Sequence, residues 1–140
     1  MRAVVQRVTH ASVTVDEQVV GEIGTGLMVL LGVTHDDTPD TAKALAAKVW
    51  RLRIMREERS AEDLGAGVLV VSQFTLYADT RKGRRPTWAA AAPGPVSEPL
   101  YEQFCAELRA LGAPVSQGIF GADMEIRLTN DGPTTLVLDA

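Results

Sequence analysis

The sequence predicts one α+β domain over residues 1–140. Two observations carry the prediction. The stretches "GTGLMVLLGVT" (Gly24 to Thr34) and "GAGVLVVSQFT" (Gly65 to Thr75) share one pattern at an offset of 41 residues. Each is an apolar run bounded by glycines, with a helix-like segment downstream. Two copies are too few for a solenoid, so they read as two β–α units of one body. The second observation is that the chain outside these units alternates as strands do, at both ends. A hydrophobic fraction of 46% and a charged fraction of 23% suit a globular protein, and 140 residues suffice to bury a core without staples.

In order along the chain, "MRAVVQRV" and "SVTVD" read as strands, and Asp16-Glu17-Gln18 as the turn into "VVGEIG". The run "LMVLLGV" has no polar alternation, which predicts a strand covered on both faces. Thr38 is placed to cap a first main helix, with Pro39 at the position where its missing N–H costs nothing. Ala42, Leu45, Ala46, Val49 and Leu52 give that helix one apolar face. A second main helix is predicted from about Ser97, with Glu98 in its first turn. It buries Leu100, Phe104, Leu108 and Leu111 and is ended by Gly112 and Pro114. Two closing strands, "EIRLT" and "TLVLD", flank Asn130, Asp131, Gly132 and Pro133, residues a strand interior disfavours. That Gly-Pro pair is either an ordinary turn or a working surface made of main chain.

The longest apolar run, Leu27 to Leu31, is far too short to span a membrane, and the first residues carry no signal-peptide pattern. The single cysteine, Cys105, permits no internal disulfide and fits a reducing compartment, so the cytoplasm is the expected location. A net charge of −4 argues against nucleic-acid binding by the molecule as a whole. "TRKGRRP", with Arg81, Lys82, Arg84 and Arg85, runs the other way. It reads as a solvated loop or as a local patch for a few phosphates, since screening confines distant charges to about 8–10 Å.

Ser72 and Gln73 end the second repeat where the first has Leu31 and Gly32. Polar groups at the end of an apolar strand need partners, so they serve as structural hydrogen-bonders or as a pocket wall. No G-x-S-x-G elbow surrounds Ser72, and His10 and His35 have no partner at triad or metal spacing. "THDD" (Thr34 to Asp37) reads as helix capping before metal binding, and Cys105 as a core residue. No metal and no cofactor are predicted. An enzyme built this way works by positioning and by main-chain dipoles.

The chain resembles the D-aminoacyl-tRNA deacylases nearly end to end. The likeness lies in "VVQRVTHASVTVD", "GEIGTGLMVLLGV", "VLVVSQFTLYADTRKGRRP", "GIFGADM" and "NDGPTT". Ser72-Gln73-Phe74-Thr75-Leu76 and Asn130-Asp131-Gly132-Pro133-Thr134-Thr135, in this order and spacing, are its specific elements. The resemblance implies a β-barrel-like core, a homodimer, and hydrolysis of the ester between a D-amino acid and the terminal ribose of tRNA. It implies a cis Gly132-Pro133 bond whose main chain enters the partner's pocket and rejects L-amino acids, while glycyl esters are accepted.

It further implies that Ser72, Gln73, Phe74 and Thr75 form the catalytic strand end, chiefly through N–H groups. Thr135 orients substrate or acts as nucleophile, and the tRNA 2′-hydroxyl assists water. Phe120, Met124 and Asn130 hold substrate and terminal adenosine. Arg81, Lys82, Arg84 and Arg85 hold the acceptor stem, and Arg7 braces the Gly-Pro loop unless it is simply a surface arginine. A non-catalytic module that binds tRNA 3′ ends on the same fold is the alternative. The chain departs from the family pattern between Ile54 and Val68, where "MREERSAEDLGAG" is short and charged, at Thr134, where valine is common, and at "PTW", where "PSF" is commoner. These departures bear on dimer geometry.

Overall fold

The computed structural model describes residues 1–140. A six-stranded sheet curls into a nearly closed barrel, with helices packed on its outside. β1 (Arg2–Val15) is its spine. Along one edge β1 pairs antiparallel first with β3 (Gly26–Gly32) and then with β2 (Gln18–Ile23), and along the other edge with β6 (Glu125–Asp139). β4 (Gly67–Ser72) lies parallel to β3, and the short β5 (Val115–Gln117) parallel to β4. β2 then comes back against β5: Ser116 Oγ donates to the Glu22 carbonyl at 3.3 Å, and a Cβ added to Gly21 would lie 2.6 Å from the Gln117 carbonyl oxygen. No helix is long and apolar enough to cross a membrane.

The internal repeat is a parallel strand pair. Gly26 faces Gly67 and Leu31 faces Ser72, so the sequence offset is the ladder register itself. The unbroken apolar runs are explained by two cores. Leu27, Val29 and Leu31 of β3 and Val68 and Val70 of β4 face the helices, while Met28, Leu69 and Val71 fill the barrel with Val8, Ala11, Val13 and Ile23. The glycines mark a close approach, since a Cβ on Gly26 would overlap the Gly67 carbonyl, and one on Gly67 would meet Ile23 Cγ2 at 3.0 Å. Gly26→Ala therefore costs about 1–3 kcal/mol and lowers Tm by roughly 3–12 °C. Gly24→Ala, whose Cβ meets nothing within 4 Å, shifts Tm by no more than about 2 °C. Thermal unfolding followed by circular dichroism separates the two.

α1 (Pro39–Arg51) starts as its sequence dictates. Thr38 caps it in a reciprocal pair with Thr41, Pro39 opens the first turn, and Ala42, Leu45, Ala46 and Val49 are buried with Trp50. Leu52 is the residue that ends the helix. The second main helix, α3 (Gly94–Ala110), begins three residues before the predicted Ser97. Pro95 stands in its first turn, where N–H groups have no intrahelical acceptor, so the prolines open the helix instead of delaying it. Leu100, Phe104 and Leu108 are buried, Gly112 takes a φ of 96° just past the end, and Cys105 is fully buried with its thiol pushed up to about 12 by burial. The divergent segment forms a 3₁₀ turn, Arg56–Glu58, and a third helix of four residues, α2 (Ala61–Leu64).

Both ends of the chain correct the strand expectations. "MRAVVQRV" and "SVTVD" are one continuous strand, because β1 trades partners from β3 to β2 without breaking. "EIRLT" and "TLVLD" are also one strand. Gln6 pairs with Thr135 and Val8 with Asn130, so Asp131 to Thr134 bulge outward opposite the single residue Arg7. The Gly-Pro pair does not turn the chain. It lifts four residues of main chain out of a ladder that resumes on the same partner.

Candidate active site

The principal cavity, about 510 Å³, opens where β4 leaves the sheet. Ser72, Gln73 and Phe74 form one side, Phe120, Gly121, Ala122 and Met124 another, and Val33, Val71, Trp88, Ala91, Ala92, Gly94, Ser97 and Ile126 the rest. The lining is mostly apolar, which suits a pocket that orients a ligand through few polar groups. Of the predicted site, the structure thus brings together Ser72, Gln73, Phe74, Phe120 and Met124.

The strand end is set by hydrogen bonding. The parallel register continues one residue past Ser72, and the Gln73 N–H donates to the Leu31 carbonyl at 2.8 Å. That donor is committed to the sheet, which corrects the expectation that it faces a ligand. The 3₁₀ turn Phe74–Tyr77 follows, and its first bond runs from the Leu76 N–H to the Gln73 carbonyl at 3.3 Å. The Phe74 and Thr75 N–H groups come before that bond, the position where a helical turn leaves donors unmatched. Gln73 Nε2 donates to Thr75 Oγ1 at 2.5 Å, fixing both side chains, while Ser72 is half-buried on the pocket wall.

Phe120 packs at once on the core and the pocket, its ring tilted 47° against Tyr101 at 5.9 Å between centroids. Trp88 is the pocket residue that pattern reading missed. It meets Phe74 edge to face at 5.3 Å, and both rings are exposed at the rim. Its only signal in the sequence was the unusual "PTW". No histidine enters the pocket: His10 Nε2 lies 2.8 Å from Glu22 Oε2, and His35 Nε2 lies 2.7 Å from the Ala89 carbonyl.

Asn130, Gly132, Pro133 and Thr135 stand apart from this cavity, on the β1–β6 bulge. Gly132-Pro133 is cis, and Gly132 has a φ of 117°. Asn130 Nδ2 donates to the carbonyls of Arg7 and Thr134, each at 3.0 Å, so its amide closes the bulge. Thr135 Oγ1 accepts from Gln6 Nε2 at 3.1 Å and donates to Asn130 Oδ1 at 3.4 Å. Arg7 is no solvated strand arginine. Its side chain is 11% exposed, and its guanidinium donates from Nε to the Asp131 carbonyl at 3.2 Å and from Nη1 to the Ile54 carbonyl at 2.9 Å. Gly132 and Pro133 themselves are exposed.

The basic loop divides into two kinds of residue. Paired hydrogen bonds between Asp79 and Thr87, at 2.8 and 3.0 Å, close it at its base. Arg81 grips Asp79 through Nε at 2.9 Å and Nη2 at 2.6 Å, holding that carboxyl down at about 2. Lys82, Arg84 and Arg85 are exposed and pair with no carboxylate of the chain.

The family model described as D-Tyr-tRNA(Tyr) deacylase matches residues 4–139. A D-aminoacyl-tRNA deacylase of Nocardia farcinica is 65% identical, with 100% of each chain covered. One of Thermobifida fusca is 64% identical over 99% of each. Among solved structures, a c-Myc DNA unwinding element binding protein superposes with a TM-score of 0.94 at 38% identity, covering 100% of this chain and 99% of its own. A probable eukaryotic D-amino acid tRNA deacylase shares the fold, with a TM-score of 0.86 at 20% identity over 99% and 98% of the two chains. With a near full-length family match and relatives above 60% identity, the chain belongs to the D-Tyr-tRNA(Tyr) deacylase family.

Proposed function

We propose that this protein is a cytoplasmic hydrolase that cleaves the ester between a D-amino acid and the terminal ribose of tRNA, releasing both. The observation that carries the reading is an apolar pocket walled by Ser72, Gln73 and Phe74, where a 3₁₀ turn starts ahead of its first hydrogen bond, with neither a nucleophile–base pair nor a histidine in its wall. An aminoacyl ester is already activated, and the neighbouring 2′-hydroxyl of the tRNA assists water. The protein then has to hold the ester and stabilise the oxyanion, a task in which one donor contributes about 10²–10³ in rate. Phe74 and Thr75 supply those donors from the main chain.

Selectivity comes from a second copy. In one copy the Gly132–Pro133 bulge is exposed and outside the pocket, and the long strand that carries it has no partner on its outer edge. An unpaired edge of this length, with Val137 61% exposed, calls for cover. In a homodimer the bulge from one subunit closes the pocket of the other. Its main chain leaves no room for the side chain of an L-amino acid, whereas a D side chain points away. Glycine has nothing to clash, so glycyl-tRNA is also cleaved. Phe120 and Met124 pack on the terminal adenine, a contact worth roughly 1–3 kcal/mol. Lys82, Arg84 and Arg85 hold the acceptor stem.

The test is single-turnover release from D-tyrosyl-, L-tyrosyl- and glycyl-tRNA by the pure protein. Cleavage of the D and glycyl esters with the L ester spared supports the reading. Equal cleavage of D and L esters, or none, overturns it. Thr135 belongs to the scaffold of the bulge because its hydroxyl is engaged with Gln6 and Asn130. Thr135→Ala therefore keeps turnover within about 10-fold of wild type. A rate at the background level would make Thr135 the nucleophile.

A further inference from the structure

The bulge is tied to a part of the chain that has no place in the pocket. Arg56 begins the 3₁₀ turn in a loop closed by the Met55 N–H bond to the Arg59 carbonyl at 2.8 Å. Glu57 and Glu58 take positive φ angles of 63° and 55°, so a tight turn presents the Arg56 side chain. Its guanidinium donates from Nη2 to Asp131 Oδ1 at 2.7 Å and from Nε to Oδ2 at 3.3 Å. Arg7 approaches the same residue, with Nε 3.2 Å from Oδ2 and bonded to the Asp131 carbonyl. The Arg56 fork thus grips the carboxylate of the residue before Gly132, while Arg7 holds that residue's carbonyl and adds its charge. A forked donor fixes direction as well as distance, which a lone ammonium does not.

Stability does not account for the arrangement. The Arg56 side chain is 67% exposed, and exposed ion pairs contribute little. We propose that Arg56 is a positioning residue, which acts through Asp131 to set the main chain of Gly132–Pro133 and so the preference for D over L esters. The inference rests on the site reading given above. The Asp131 carboxyl is held below the usual carboxylate range, first by its hydrogen bond from Arg56 and then by the charges of Arg56 and Arg7. These are the charged groups that face it. A depressed carboxylate keeps its contacts above the ordinary range and loses them as pH falls through its own lowered value. Without Arg56 that value rises, and the loss begins at higher pH.

The experiment compares wild type, Arg56→Ala, Arg56→Lys, Asp131→Asn and the Arg56→Ala/Asp131→Asn double variant on D- and L-tyrosyl-tRNA. Arg56→Ala is expected to melt within about 2 °C of wild type. Its D-ester rate falls roughly 10-fold, its D-over-L ratio narrows, and the acid limb of its pH profile moves up. Arg56→Lys recovers only part of the rate. The double variant is no slower than Asp131→Asn alone, because both changes remove one contact. A wild type without D-ester cleavage overturns the site reading itself. An active wild type with Arg56→Ala unchanged in rate, ratio and pH limb, or with losses that multiply in the double variant, overturns only the role of Arg56.

Discussion

Gly132→Ala is expected to cost at least roughly 10² in kcat/KM on D-tyrosyl-tRNA, with the melting transition retained. The residue sits at a φ of 117°, where only glycine is at ease, and an added Cβ would overlap Arg7 Nη2 and lie 3.1 Å from Thr134 Oγ1. Either the guanidinium or the bulge must move. Arg7 is also bonded to the Asp131 and Ile54 carbonyls, so the bulge yields and its carbonyls turn away from the pocket that they close in the proposed dimer. Displacement of a positioning wall by about 1 Å is enough for an effect of that size. Single-turnover kinetics alongside calorimetry checks the result. A normal rate would mean that the Gly132 main chain does not touch substrate.

The second large effect concerns tRNA affinity. Replacing Lys82, Arg84 and Arg85 together by Ala should reduce the slope of log K against log salt by roughly 2–3. Between about 50 and 200 mM salt, wild-type binding then falls by about 40-fold more than that of the triple variant. The turnover at saturation stays near wild type, because none of the three lines the pocket. Arg81→Ala has a smaller effect on the slope, since its guanidinium is already bound to Asp79. Filter binding at a series of salt concentrations measures the slopes directly. Equal slopes for wild type and the triple variant would leave the loop merely solvated.

Much of this architecture was legible before any coordinates. The glycine-bounded repeat announced two β–α units with buried strands, while their parallel pairing and the close approach at Gly26 and Gly67 emerged only from the fold. Thr38 and Pro39 announced α1 because an unmet N–H has few remedies. The strand-end motif announced one wall of the pocket. What stayed hidden depends on partners far along the chain. The continuity of β1 follows from a change of neighbour at its middle, which alternation cannot register. The Asp131 to Thr134 bulge follows from one register shift against β1, between Gln6 and Val8, while its sequence has the look of a turn. The role of the Gln73 N–H was concealed by one extra step of parallel pairing, and Trp88 by a segment without periodicity. Arg56 lies where the chain leaves the pattern of its family, and only the fold brings it to Asp131.

The central claim is that the wall and the pocket of each site come from different subunits. Two differently tagged copies test it, one carrying Gly132→Ala and the other plugged by Ala122→Trp, co-expressed and purified through both tags. Each variant alone is expected to be nearly inactive on D-tyrosyl-tRNA. The mixed dimer holds one site with an open pocket and an intact wall, so it should recover close to half the wild-type activity per dimer and still spare the L ester. A mixed species as inactive as its two parents would place wall and pocket in the same chain and contradict the account.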